Sequence, residues 1–489
     1  MKSNKIYVYL QGHDFKYDIS ALIKVFYTDS EIIFIEEKAL VDNQGLLIES
    51  ILNSDDNTAF SSLSKDGQVV AESIKDINKI DIKDNDTKKI IKAATKQSIF
   101  EVLHKTNDIK VPWGVLTGIR PTKIVHSLLD NKIDEDTIRY ILVNEYRVDL
   151  EKANLIINIA ITERKFIYPL DERKYSLYIS IPFCPTRCLY CSFPSNAIDK
   201  SSDLVNIYTE KLMHEIEKVF EIMQDKIIDT VYIGGGTPTA IPVKNLDNII
   251  KKVYSVFGSN LREFTVEAGR PDTITLEMLE MLKSNNIKRI SINPQTMNQD
   301  TLRTIGREHK SQEILDSFRL AKQLGFNIIN MDLIVGLPGE DKTHIENTMR
   351  YIEELKPENL TVHTMAVKRT SRLKEDIDKY SLTSQNSIEE MLNVTKHYAE
   401  KMGMKPYYMY RQKQILGNFE NVGYSTDGNE CIYNMLIMEE KQTIIAVGAG
   451  GVSKVYFPQE DRLERIPNVK DLREYINRVD EMIEKRKIF

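Results

Sequence analysis

The chain of 489 residues is 28% charged and 42% apolar with a net charge of −6, the balance of an ordinary globular protein with room for two or three domains. The negative balance argues against a general affinity for nucleic acid, and no run of about eighteen apolar residues is present to span a membrane. The opening MKSNKIYVYLQGHDF is too briefly apolar for a signal peptide, and four cysteines, three of them clustered, make no disulfide framework. The expectation is a cytoplasmic protein.

Residues 1–165 read as a separate α/β accessory domain. Lys5–Leu10 and Glu31–Glu36 are apolar and β-rich, and predict strands. Thr87–Lys105, Asp134–Tyr146 and Leu150–Lys165 predict helices. Between them VPWGVLTGIRPTK (111–123) holds the only tryptophan, and its Gly and Pro predict an ordered loop or a helix start. Arg120 and Lys123 either face a substrate carboxylate or belong to a packed loop between domains.

The next stretch, Tyr178–Phe193 (YISIPFCPTRCLYCSF), carries Cys184, Cys188 and Cys191 in the spacing C-x3-C-x2-C. Tyr178–Ile181 alternates as a strand does, and Pro182 and Pro185 stop it and stiffen the loop beyond it. A rigid loop can aim three thiolates at one small object. Structural zinc wants four ligands, and the next downstream His or Cys is the distant His214. Thiolates also hold iron–sulfur clusters, and three of them would leave one iron open for chemistry.

From Ser176 strand and helix alternate strictly. Strands are predicted at 176–181, 230–235, 263–268, 289–294, 327–334 and 359–365, with helices at 203–223, 245–257, 276–285, 312–324 and 344–355. Such repeats imply a parallel sheet with helical crossovers, here an open, partial TIM-type barrel over 166–402 whose chemistry sits at the C-terminal ends of its strands. Polar residues recur at those ends. Gly234-Gly235-Gly236-Thr237-Pro238-Thr239 comes after the second strand and is expected to let a ligand approach and to offer N–H groups. Glu267 stands in TVEAGRPD, Gln295 in RISINPQTMN, Arg307 in IGREH, Asp332 in NMDLIVGLPGE and Ala366 in HTMA. Any one of them alone is more often structural; their shared placement carries the reading. Lys368, Arg369, Arg372 and Lys374 then form either a solvated face or partners for carboxylates. After a helix at 384–402 comes a small C-terminal region, 403–489, where Tyr407, Tyr408 and Tyr410 are either core residues or a stacking surface for a flat ring, and Cys431 is a lone buried thiol.

The cysteine spacing at the end of a first barrel strand resembles the radical S-adenosylmethionine (SAM) enzymes. Tyr178, IPFC, Tyr190 and Phe193 resemble more narrowly the oxygen-independent coproporphyrinogen III oxidase (HemN-like) family, and GNFENVGY resembles its HemZ branch. The resemblance implies a (β/α)6 radical SAM barrel in which Cys184, Cys188 and Cys191 hold a [4Fe-4S] cluster. Its open iron chelates SAM, whose cleavage yields a 5′-deoxyadenosyl radical. Tyr178, Tyr190, Gly235, Gly236, Thr237 and Glu267 would hold that SAM, and Gln295, Arg307, Asp332 and Ala366 a second. Tyr178, Glu267 and Arg307 are the implied catalytic residues.

The implied activity is oxidative decarboxylation of coproporphyrinogen III to protoporphyrinogen IX, with a tetrapyrrole substrate and an electron donor such as flavodoxin or ferredoxin. Two departures bear on substrate. Ser180 stands where better-known members have His, and Phe193 where they have a fourth Cys, as in related heme chaperones. A heme-binding chaperone, or another radical SAM activity on a tetrapyrrole, are the alternatives.

Overall fold

The computed structural model describes residues 5–28, 30–37, 45–118, 120–198, 203–381, 383–412 and 415–487. The chain forms two compact units, Met1–Ala160 and Ile161–Phe489.

The first unit is built on a five-stranded sheet: β1 (Lys5–Gln11), β2 (Glu31–Ile35), β3 (Leu46–Asn53), β4 (Thr58–Lys65) and β5 (Gln68–Asp76), in the order β2-β1-β3-β4-β5. β1 pairs in parallel with β2 and β3, and β3–β4–β5 is an antiparallel meander. The meander and the helix Lys16–Phe26 are additions to the predicted elements. Ser-rich β4 and charge-rich β5 leave little apolar alternation to read. Ile6, Val8, Leu22, Ile48, Ile99 and Leu103 share one core. The helix Thr87–Thr106 is capped by Asp86, which accepts from Lys88 N–H. The helix predicted over 134–146 is α-helical at Glu135–Tyr140 and widens to a π turn at Ile141–Glu145. Trp113 is fully buried in a turn, and a helix comes next at Thr122–Asp130.

The second unit carries β6 (Lys174–Ile181), β7 (Phe183–Cys184), β8 (Asn196–Ala197), β9 (Ile227–Gly235), β10 (Glu263–Glu267), β11 (Arg289–Ser291), β12 (Ile328–Val335), β13 (Asn359–Thr364), β14 (Lys405–Tyr410), β15 (Asn421–Ser425), β16 (Thr443–Val447), β17 (Val452–Phe457) and β18 (Arg462–Pro467). Its large sheet has eleven strands in the order β14-β15-β13-β12-β11-β10-β9-β6-β16-β17-β18. The six strands β6, β9, β10, β11, β12 and β13 lie side by side in chain order and run parallel. The C-terminal strands extend the same sheet at both edges, so it stays open. This is the α/β, partial-barrel architecture expected of a radical SAM domain. The crossover helix Val243–Phe257 shows why the elements form: Leu246, Ile249, Ile250 and Val253 recur on one stripe and are buried. β11 is shorter than predicted because the chain leaves the ladder at Asn293, whose N–H turns to Gly269 O at 3.2 Å, and rejoins β12 only at Gln295, by a bridge to Leu333. No helix among the described residues is long and apolar enough to cross a membrane.

A buried ion pair fixes the back of β6. Glu215 and Arg486, 0% and 1% exposed, meet at 2.8 Å. The same carboxylate accepts from Tyr475 Oη, Asn468 Nδ2 and the N–H of Gly448. The loop so held presents Ala449 O to Ser180 Oγ at 2.9 Å. Ser180 is thus buried behind the strand end, which accounts for a small residue there. Gly448 has no room for a side chain, since a Cβ would stand 2.4 Å from Ser180 O.

Candidate functional site: a three-cysteine cleft at the strand ends

The cysteine loop is tied at every corner. β7 pairs with β8 across its base, and Ile198 N–H reaches Cys184 O at 3.2 Å. Leu189 N–H donates to Ile305 O at 3.0 Å and Thr186 Oγ1 to Gly306 O at 3.0 Å. Arg270, 2% exposed, forks onto Asp272 and donates to Thr186 Oγ1 at 2.7 Å. All three thiols are free and line one cleft of about 320 Å³. Burial pushes Cys184 up to about 11 and raises Cys191.

The sulfurs do not converge on a point. Among the described residues their three Sγ atoms are not all within 4.8 Å of one another. Thiolates sharing one zinc sit about 2.3 Å from the metal and therefore closer together than that. The spacing disfavours zinc and suits a larger body with several metal atoms.

The glycine turn abuts this loop. Gly236 N–H donates to Ile181 O at 2.8 Å and Thr237 N–H to Phe183 O at 2.7 Å, while Gly235 N–H hydrogen-bonds the Glu267 carboxylate. The expectation that the turn offers N–H groups is therefore corrected: those donors are spent on the scaffold. What the turn leaves beside the thiols is the Glu267 carboxylate, suited to an ammonium rather than an anion. Thr237 Oγ1 lies 3.5 Å from Cys184 Sγ.

Two carboxylates face the same space and are shifted in opposite directions. Burial, reinforced by Asp332, pushes Glu267 up to about 7 against the hydrogen bond from Tyr232 Oη at 2.6 Å. Burial also works to raise Asp332, but the hydrogen bond and charge of His363, with Asn330 and Thr361, outweigh it and hold the carboxyl low. His363 Nε2 is 3.8 Å from Asp332 Oδ2, and its Nδ1 is 3.0 Å from Tyr410 Oη. Arg307, 5% exposed, donates to Asn293 O and keeps a buried Nε with no partner.

The cleft is lined by Cys184, Cys188, Tyr190, Cys191, Gly235, Gly236, Thr237, Glu267, Gln295, Arg307, Asp332 and Ala366, twelve of the thirteen residues singled out in the sequence. Tyr178 is placed elsewhere. It stacks with Tyr232 and Tyr433 at 6.2 and 6.1 Å, behind Glu267 rather than on the lining. Of the basic run, Lys368 lines the cleft and Arg369, Arg372 and Lys374 are exposed. Tyr407 and Tyr408 are buried core residues, whereas Tyr410 reaches the cleft. Cys431 is 4% exposed against Glu263 and apart from the lining. Arg270, Asn293 and His363 also line it and were not singled out. All three stand in stretches that drew attention to a neighbour: Arg270 in TVEAGRPD with Glu267, Asn293 in RISINPQTMN with Gln295, and His363 in HTMA with Ala366.

Comparison with known proteins agrees with this geometry. The model of the Radical SAM superfamily matches residues 178–352, and the fold is that of coproporphyrinogen III oxidase (HemN) from Escherichia coli, a radical SAM enzyme, with a TM-score of 0.51 at 22% identity over 66% of this chain and 73% of that one. The three-cysteine cleft on an open α/β barrel thus belongs to a radical SAM protein. The oxygen-independent coproporphyrinogen-III oxidase-like protein HemZ of Bacillus subtilis is 39% identical over 406 residues, 82% of this chain and 81% of that protein. A heme chaperone HemW of the same organism is 31% identical over 258 residues, 52% of this chain and 65% of that protein. The chain belongs to the oxygen-independent coproporphyrinogen III oxidase (HemN-like) family. Its cofactors are those of the superfamily, a [4Fe-4S] cluster and SAM, and three free thiols beside a buried carboxylate fit both.

Proposed function

We propose that the protein is an oxygen-independent coproporphyrinogen III dehydrogenase of the cytoplasm, which converts two propionate side chains to vinyl groups with loss of two carbon dioxide molecules. The observation that carries the reading is the gathering, in one cleft, of the three thiols, the Gly235–Thr237 turn with Glu267, and a second polar set of Gln295, Arg307 and Asp332. When bound and reduced, the cluster and SAM would supply a 5′-deoxyadenosyl radical that takes a hydrogen atom from the substrate propionate; carbon dioxide then leaves and the remaining electron passes to an external electron acceptor, one SAM being consumed for each vinyl group. Cys184, Cys188 and Cys191 hold the cluster. Glu267 receives the cationic end of SAM, with Gly235, Gly236 and Thr237 shaping the turn against it. Arg307, Gln295 and Asp332, with Ala366, hold a second SAM, and Arg307's unpartnered Nε is a donor free for it. Tyr178 acts from behind, steadying Glu267 through the Tyr232 stack. A flavodoxin or ferredoxin is the expected electron donor.

A second reading, heme binding and delivery, is favoured by Phe193: it replaces the fourth Cys and is 54% exposed at the cleft. One anaerobic assay separates the two. The reconstituted protein is given SAM, a low-potential reductant and coproporphyrinogen III, and products are read by mass spectrometry. Loss of two carboxyl groups with 5′-deoxyadenosine is the expected result. Tight heme binding with neither product moves the assignment to the chaperone.

A further inference from the structure

The cleft is lined by four cations, and three are engaged. Arg270 is forked onto Asp272 and tied to Thr186. Arg307 donates to Asn293 O inside the wall. Arg187 donates to Thr370 O. Lys368 differs: among the described residues no carboxylate lies within ion-pair distance of its ammonium, which instead sits 5.5 Å above the ring of Phe193. Phe193 is itself a large apolar side chain exposed to 54%. A half-buried ammonium with no carboxylate partner, set over one face of an exposed aromatic ring, leaves both a charge and apolar surface for a ligand. It matches one kind of ligand, an apolar macrocycle that carries carboxylates at its edge. The Phe193 ring packs against the apolar macrocycle, and an edge carboxylate meets the ammonium as a charge-assisted pair.

Resting on the tetrapyrrole reading above, the geometry points to Lys368 as the residue that anchors a propionate carboxylate of the substrate, with Phe193 as the platform for the macrocycle face. The pair lies next to the cluster thiols: Lys368 and Arg187 are the cations that act on Cys191. A propionate held there brings its own methylene carbons to the reactive end of the cleft. The other basic residues of the run face solvent and take no part.

Equilibrium binding tests this without turnover. Coproporphyrin III, the oxidised tetracarboxylate that cannot be decarboxylated by the same route, is titrated into the reconstituted full-length protein, and its fluorescence gives Kd. Lys368→Gln should weaken binding by roughly 10- to 100-fold, the range of one charged hydrogen bond. Lys368→Arg should recover most of it, and Arg369→Gln, on the exposed side, should bind like the parent protein. SAM is titrated into the same Lys368→Gln sample and should bind unchanged, which also shows the variant folded. Equal coproporphyrin affinity in Lys368→Gln and the parent overturns the anchor. So does a parallel loss of SAM, which would place the ammonium on the amino-acid end of SAM instead. If the parent protein binds coproporphyrin with the expected Lys368 dependence but forms no vinyl product, the decarboxylation reading fails and the anchor stands. If the parent binds no coproporphyrin, the anchor falls, and the decarboxylation reading is decided by the assay with coproporphyrinogen III.

Discussion

Gly236 and Cys184 are packed so closely that neither tolerates growth in the other. A Cβ on Gly236 would lie 3.0 Å from Cys184 Sγ and 2.5 Å from Phe183 O. Gly236→Ala should therefore push the first thiol out of place at a cost of about 1–3 kcal/mol. Iron per chain after reconstitution, set against the thermal midpoint, checks it: iron should fall much further than stability. Full iron retention would mean that the turn and the cysteine loop move independently.

Removing any one of Cys184, Cys188 or Cys191 as Ala should abolish bound iron and SAM cleavage together. Cys431→Ala removes an equally real thiol, buried beside Glu263 and away from the cleft, and should keep the iron content of the parent. Iron analysis and the visible absorbance of the cluster distinguish the two groups.

Glu267 links SAM binding to pH. Its carboxyl is raised to about 7 in the ligand-free cleft, so below that value it is protonated and must release a proton to receive a cation. SAM affinity should rise with pH up to about 7, by no more than tenfold per pH unit, and level off above. Glu267→Gln should bind more weakly and lose the slope. The same shift predicts the opposite trend for the ligand-free fold. A carboxyl whose folded pKa is raised favours folding at low pH, and that contribution is lost as pH climbs from its unfolded value towards 7. The ceiling is about 3 kcal/mol, less what water in the cleft screens. Denaturant midpoints at pH 5 and pH 8, compared between parent and Glu267→Gln, read it out.

Asp332 is held ionised by His363 within the second polar set. Asp332→Asn should lower the number of SAM molecules bound per chain from two to one, measured by calorimetry, with iron unchanged. A parent stoichiometry of one, unaltered by the substitution, would remove the second SAM from the scheme.

The Glu215–Arg486 pair is remote from the chemistry yet carries the loop behind β6. Arg486→Met leaves a buried carboxylate uncompensated and should cost about 3–5 kcal/mol. Adding Glu215→Gln to it should return part of that loss, because the stranded charge is gone. Chemical denaturation of both variants gives the difference.

Much of the site is legible locally. Three thiols within eight residues, a glycine turn one β-α unit later, and single polar residues at successive strand ends all come from chain order, because parallel strands with helical crossovers place consecutive strand ends side by side. Alternation and amphipathic stripes locate the six central strands and the five predicted helices to within three residues at either end, since burial on both faces leaves an apolar signature. What chain order cannot convey is which long-range neighbour claims each group. His363 and Tyr410 are 47 residues apart and meet across the antiparallel edge of the sheet. The amide donors of the glycine turn look available until the cysteine loop folds onto them. Tyr178 looks like a site residue and is turned into a tyrosine stack by residue 433. Four basic residues in a row are equivalent as text; the exit path of β13 turns Lys368 alone into the cleft. Residue identity and spacing thus determined the chemistry available, whereas packing between distant segments decided which donors were free, which carboxylate kept its proton and which cation was left for a ligand, because those depend on burial and partners that exist only once the sheet has formed.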